Sequence, residues 1–364
     1  MYNGMQIKVY CAHQPQLPQG HKYMSVPGRI FLVAAFASVS TSTVARDVVP
    51  AETGFNGFIG LGYSYNSIEN NEIAGLALGS YDEFTHESID SIFSSPDGTT
   101  EGLPTMKFKF SYTLESRTEF YFGQDLIDAA TFDFTNQLGV RQELGDKSNV
   151  SVGYVFSGIP TKVWEDPFVE NQPRAKSDRE SAGARIAYNS IFGSNFDLQY
   201  TYRKIDIDTE RSGQWLDLTP AQTKLLERDG DQHNVRFGYA IDLGGNDSLY
   251  PELVYVKDDR DGDAVSSDQW GLQLTYANVS ERFNLALTGN YSSSDYDKTH
   301  PIYGKTRDDD NWGVGVALFD KTLLRMLGKN WWATASGGYY KTDSNIDFYD
   351  SELWSLGLGV MYRF

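Results

Sequence analysis

The chain has 364 residues, 22% of them charged, a formal net charge of −18 and a single cysteine, Cys11. That acidity argues against a nucleic-acid partner and against a basic anion-binding surface. One cysteine leaves no disulfide framework and no cysteine-ligated metal.

Residues Ile30 to Ser40 form an apolar core, preceded by Arg29 and followed by the small-residue site Thr43-Val44-Ala45. Charge, core and site in that order read as a secretory signal cleaved before Arg46, and the run is shorter than the about 20 residues a spanning helix takes. Residues 1–23 have no signal-like order, so Met24 is an alternative start. The expected division is an N-terminal extension plus signal peptide over 1–45 and one folded unit over 46–364. The first 45 residues hold three basic and no acidic groups, so their removal takes the charge from −18 to −21.

Beyond Gly54, apolar residues alternate with small or polar ones at a period of two, which a strand converts into one greasy and one wettable face. Fourteen stretches carry this signature, near 54–66, 104–115, 117–126, 131–144, 148–159, 178–192, 194–206, 231–243, 247–258, 265–279, 281–296, 309–320, 330–343 and 350–364. Clear cases are Phe108/Phe110/Tyr112/Leu114, Phe196/Leu198/Tyr200/Tyr202 and Trp270/Leu272/Leu274/Tyr276. A one-residue slip would push charges into lipid, at roughly 2–4 kcal/mol for a mid-membrane Arg or Lys, so the register is well determined. Connections are tight at 115–117, 145–148, 192–195, 244–247 and 278–281, and long at 67–103, 160–177, 207–230 and 297–308. This alternation predicts an all-β, antiparallel, up-and-down transmembrane barrel of about 14 strands, with 12 or 16 as alternatives and periplasmic termini.

Three connections carry more than a turn. Thr219-Pro220-Ala221-Gln222 is a helix-start pattern and predicts one short helix. The 67–103 connection holds two apolar patches, Ile73 to Leu78 and Ile89/Ile92/Phe93. It either folds into the mouth as a constriction or packs on neighbouring loops. Lys321 to Lys329 is amphipathic and basic, suited to a membrane leaflet with its leucines in lipid.

Catalytic and metal chemistry is sparse. His86, His233 and His300 have no paired motif and read as surface polar residues, leaving a hydrolase only a faint foothold at His233. Asp258 to Asp263 resembles a calcium loop superficially, but Lys257 occupies the first ligand position and Asp268 the twelfth, so it reads as an Asp-Gly hairpin tip. Arg307-Asp308-Asp309-Asp310 reads as a solvated loop face. No enzyme activity, metal or cofactor is expected.

The last strand places Trp354, Leu356, Leu358, Val360, Tyr362 and Phe364 on one face, with aromatics at both edges of the apolar band. Such a strand is expected to serve as the signal for barrel assembly machinery. The same parity turns Lys107, Lys109, Arg141, Arg185, Arg203, Arg236 and Arg363 inward, with Glu119, Asp133, Glu143, Asp197, Asp242 and Glu252. Charges of both signs inside a barrel must pair or line water. Inward Gly153, Ala187, Gly238, Ala286, Gly315 and Gly359 are expected to leave room, and about fourteen strands predicts a narrow lumen. Mixed charge argues against sharp ion selectivity.

The stretch Gly54 to Gly62, with Phe120-Tyr-Phe-Gly-Gln124, Gly145-Asp-Lys-Ser148 and Tyr362-Arg-Phe364, resembles a porin-like family of proteobacterial outer-membrane barrels of unknown function. The resemblance covers the whole exported chain. It implies a Gram-negative outer membrane, with surrounding lipid and lipopolysaccharide, and no assigned substrate. Arg46 to Thr53 are too few for the N-terminal plug of hydrophobic-ligand barrels. The expected function is passive diffusion of small polar solutes through a channel. The alternatives are a surface-interaction barrel with acidic external loops and a blocked lumen, and, less favoured, an outer-membrane hydrolase.

Overall fold

Alternating sequence becomes one antiparallel sheet that closes on itself. The computed structural model describes residues 48–77, 79–81, 83–125 and 135–364. The signal segment and Asp133 lie outside the described residues.

The strands are β1 Gly54–Glu69, β2 Ile73–Leu76, β3 Gly98–Thr113, β4 Thr118–Asp125, β5 Thr135–Glu143 and β6 Asn149–Ser157. They continue with β7 Thr161–Trp164, β8 Lys176–Asn189, β9 Phe196–Ile207, β10 Gly230–Tyr239, β11 Ile241–Gly244 and β12 Asp247–Arg260. The last five are β13 Ser267–Val279, β14 Phe283–Thr299, β15 Thr306–Asp320, β16 Trp331–Ser344 and β17 Ser351–Arg363. β6 and β7 run in succession along β8, and β10 and β11 along β12, so each pair is one interrupted wall strand. β2 pairs with β7 and belongs to a loop. The wall is therefore a closed barrel of fourteen strands. Closure comes from β1 against β17, from Phe58↔Arg363 to Glu69↔Glu352, which leaves neither terminal strand with an open edge.

The outward face is apolar around the ring: Leu272, Leu356 and Leu358 are each more than 60% exposed. A patch that large on a protein surface needs lipid. Aromatic pairs mark both edges of the band. At the end carrying the tight turns, Phe55 stacks on Phe364 at 5.0 Å, and tilted pairs join Trp331 to Tyr362 at 5.1 Å and Phe196 to Tyr239 at 4.6 Å. At the end carrying the long loops, Tyr65 meets Trp354 at 5.6 Å, Tyr255 meets Trp270 at 4.6 Å and Trp312 meets Tyr339 at 5.1 Å. Trp354 and Tyr362 are eight residues apart, which at about 3.4 Å per residue and a tilt near 40° spans about 21 Å, close to the apolar thickness of a transmembrane barrel. Belt tyrosines turn their hydroxyls to aspartates outside the band: Tyr291 to Asp310 at 2.6 Å, and Tyr276 to Asp247 at 2.6 Å on the opposite rim.

Inside, near the turn end, small residues serve packing. Ala277, Ala286 and Ala317 sit side by side across β13, β14 and β15, and Phe319, Trp332 and Met361 fill the space above them. Tyr121 lies against Gly139 and Gly153, and Tyr250 against Gly238, where a Cβ would collide with the ring. The expectation that inward Gly153, Gly238 and Ala286 leave open space is thus corrected, because neighbouring aromatic side chains occupy it. The 321–329 segment is a short turn with Leu323, Met326 and Leu327 exposed, and Lys321 Nζ donates to the Ser280 carbonyl at 2.6 Å. The predicted helix is α1 Pro220–Lys224, where Gln222 Oε1 accepts the Thr219 N–H at 3.0 Å.

Candidate functional site, a capped polar lumen

The inward parity carries Arg141 on β5, Arg179 and Arg185 on β8, Arg203 on β9 and Arg236 on β10, and hydrogen-bonding neighbours fix the side chains of Arg141, Arg185, Arg203 and Arg236. Arg141 is buried with Glu119 at 2.6 Å and lies over the Tyr121 ring at 4.9 Å. Arg185 donates to Thr201 Oγ1 at 2.8 Å and Gln137 Oε1 at 3.0 Å, and Gln137 Nε2 donates to the Tyr121 hydroxyl at 2.6 Å. Arg203 donates to Gln232, which donates to Asp258 Oδ1 at 3.0 Å. Arg236 makes a forked contact with Glu252, at 3.2 and 3.1 Å, and Gln273 Nε2 donates to Glu252 at 2.7 Å. Asp197 accepts from the Ser190 N–H at 2.7 Å and the Tyr250 hydroxyl at 2.8 Å. Charge-assisted, forked contacts of this kind hold side chains stiffly along a wall.

These groups border a cavity of about 760 Å³, within the roughly 300–1,000 Å³ of small-molecule sites. Lys109, Arg141, Arg185, Asp197, Arg203, Arg236 and Glu252 line it. Lys107 shares the inward parity of Lys109 but lies outside the lining, and Arg363 lies over the Trp332 ring at 4.6 Å, in the apolar cluster near the turn end. Two residues expected in the lumen are elsewhere. Glu143 sits at the turn-end rim, 2.7 Å from Arg117 and 3.2 Å from Lys147. Asp242 keeps the inward register, opposite Ser248 on β12, but is exposed at the turn-end rim, where it accepts the Gly244 N–H at 2.8 Å. Arg307 and Asp309, expected on a solvated loop face, are buried on the inner face of β15 at 2.7 Å from each other. Their signal was present: they share the parity of Asn311 and Gly313, continuous with the strand.

Over the loop end of this cavity lies an apolar cap. Ile92, Phe168, Leu226, Ile346, Phe348 and Tyr349 are buried together, with Ile89, Leu216, Leu218, Ile302 and Tyr303 packed against them. They come from five connections: β1–β3, β7–β8, β9–β10, β14–β15 and β16–β17. The β9–β10 connection is opposite the β17–β1 seam, so loops from both sides of the ring can share a cluster only across the mouth. Polar staples bind them. Arg174 donates to the Asn71 carbonyl at 2.9 Å and the His86 carbonyl at 2.6 Å, and stacks on Trp164 at 4.3 Å. Asn71 Nδ2 reaches the Phe348 carbonyl at 3.1 Å, and the Tyr303 hydroxyl reaches the Ile92 carbonyl at 2.9 Å. Tyr349 belongs both to the cap and to the cavity lining.

At the centre of the cap is His300, 0% exposed rather than the surface residue its neighbourhood suggests. Its Nδ1 accepts the Ile302 N–H at 3.3 Å, which assigns the proton to Nε2, donating to the Tyr349 hydroxyl at 2.8 Å. Burial, with Arg307 adding to it, pulls the imidazole down to about 3. His233 faces outward, 2.7 Å from the Tyr200 hydroxyl, and His86 is exposed. Among the described residues, no three His, Cys, Asp or Glu side chains converge as a metal site requires.

No curated protein matches the sequence. Among solved structures, the toluene transporter TodX of Pseudomonas putida is similar at 9% identity, with 92% of this chain and 98% of that chain covered and a TM-score of 0.44. The outer-membrane channel DcaP of Acinetobacter baumannii is similar at 9% identity, with 88% and 100% covered and a TM-score of 0.43. A family model described as "Protein of unknown function (DUF2860)" matches residues 54–363, almost the whole described barrel, and the chain belongs to that family.

Proposed function

We propose that this protein is an outer-membrane channel for passive diffusion of small polar solutes, with its external mouth held closed by the loop cap in the resting conformation. The observation that carries this is the polar cavity, bordered by fixed Arg, Gln, Asn, Ser and Thr side chains, inside a lipid-facing barrel. Such a lining solvates what passes through it, whereas a barrel serving only as a scaffold needs no polar space. In this proposal the signal peptide directs export, the barrel assembly machinery reads the β17 face, and the loop end faces outward into lipopolysaccharide. The protein has no catalytic role.

The five-loop cap favours a second possibility, a barrel whose lumen stays blocked and whose acidic external loops bind partners. Planar-bilayer recording separates the two. The channel predicts conductance steps in wild type or, if the cap is tight, in a Phe348→Ala/Leu226→Ala variant that loosens it. Silence from both, with the variant folded, would leave the surface-interaction barrel.

A further inference from the structure

Charge is not spread evenly around the cavity. The chain as a whole carries −18, yet the lining holds ten basic residues against seven acidic ones. Three of the basic ones form a staircase across β5, β8 and β9. In register, Arg141 lies in a row with Ser151 and Ala187, Arg185 one inward position further along, and Arg203 opposite Gly183 one further still. Each step is two residues, about 6.8 Å along the strand. Further round the ring, beyond β10 and β12, the arc of β13 and β14 contributes only uncharged residues to the lining, among them Gln269, Gln273, Asn290 and Ser292.

We propose that the lumen contains a binding site for a small hydroxylated carboxylate, its carboxylate on the arginine staircase of β8 and β9 and its hydroxyls on the amides and hydroxyls of β13 and β14. Guanidinium is planar and matches a carboxylate with two parallel donors, and its neighbours here already fix its direction, so little order is lost on binding. Amide and hydroxyl side chains donate and accept, as a polyol requires. The site deepens the channel proposal, which would make its ligand the transported solute.

The test is equilibrium dialysis of the folded, detergent-solubilised barrel against gluconate and, separately, glucose at low ionic strength. Wild type binds gluconate at least tenfold more tightly than glucose. Arg185→Gln/Arg203→Gln abolishes that preference, and Arg185→Lys/Arg203→Lys, which keeps charge but not the fork, gives an intermediate value and stands in if the Gln variant does not fold. Equal binding of the two solutes by wild type, or a Gln or Lys variant with the wild-type preference, overturns the proposal. Conductance measured on the same preparation separates the two ideas. Gluconate bound in an arginine-dependent way, with no conductance in wild type or in the folded Phe348→Ala/Leu226→Ala variant, removes the channel and leaves the site. Conductance without gluconate preference removes the site and leaves the channel.

Discussion

Acid should open the cap through His300. In the closed cap its imidazole is held at about 3, whereas an exposed histidine titrates near 6.5. Only the open cap takes up the proton between these values. The advantage of the closed cap is therefore complete above about 6.5, declines as pH falls, and levels off below about 3. From pH 7 to pH 5 the loss is about 2 kcal/mol, or roughly a 25-fold rise in the open population. The neighbours do not cancel this. Burial pushes the hydroxyls of Tyr303 and Tyr349 far up, so they stay neutral throughout, and Arg307 stays charged. Hydrogen exchange of the Gly304 and Tyr349 amides, which bond to the His300 and Ile346 carbonyls, reads the opening directly. Corrected for intrinsic rates, their protection should fall about 25-fold between pH 7 and 5. In His300→Gln, which can still donate to Tyr349, it should stay nearly flat. An equal fall in the variant, or none in wild type, would refute the role of His300.

Three further perturbations test the wall. Leu358→Arg places a charge at one of the most exposed outward positions and should cost about 2–4 kcal/mol in unfolding from lipid vesicles, whereas an unchanged midpoint would contradict the assigned outward face. Arg236→Ala strips Glu252 of its guanidinium and should cost about 3–5 kcal/mol, with stability largely restored by adding Glu252→Gln; no rescue would mean that Arg236 matters for packing rather than charge. Phe364→Ala removes ring contacts to Phe55 at 5.0 Å and Phe110 at 5.8 Å and should lower stability in urea by about 1–3 kcal/mol, with a smaller compact fraction on unboiled gels. Wild-type values for both would count against any structural part for that ring.

The alternation of single residues, read from the sequence alone, determined the strand type, the strand number and the outward face, because strand parity is local and exchanging faces would put charges into lipid. It also placed Arg185, Arg203 and Arg236 on the inner face, each inside an unbroken run. It could not tell depth: Asp242 and Glu143 both have the inward parity, yet both lie at the turn-end rim, one at the β11–β12 turn and the other beside Arg117. Only the tertiary structure decided what fills and closes the lumen. Ala286 looked like empty space until Phe319, Trp332 and Met361, from strands further along the chain, were seen to occupy it. His300 looked solvated until five loops met over it. Leu226 and Phe348 are 122 positions apart in sequence, and no periodicity links residues whose contact exists because a ring brings opposite loops across its mouth. The lining of the lumen has the same origin: each strand specifies its own inward residues, and closure alone determines which of them share one cavity.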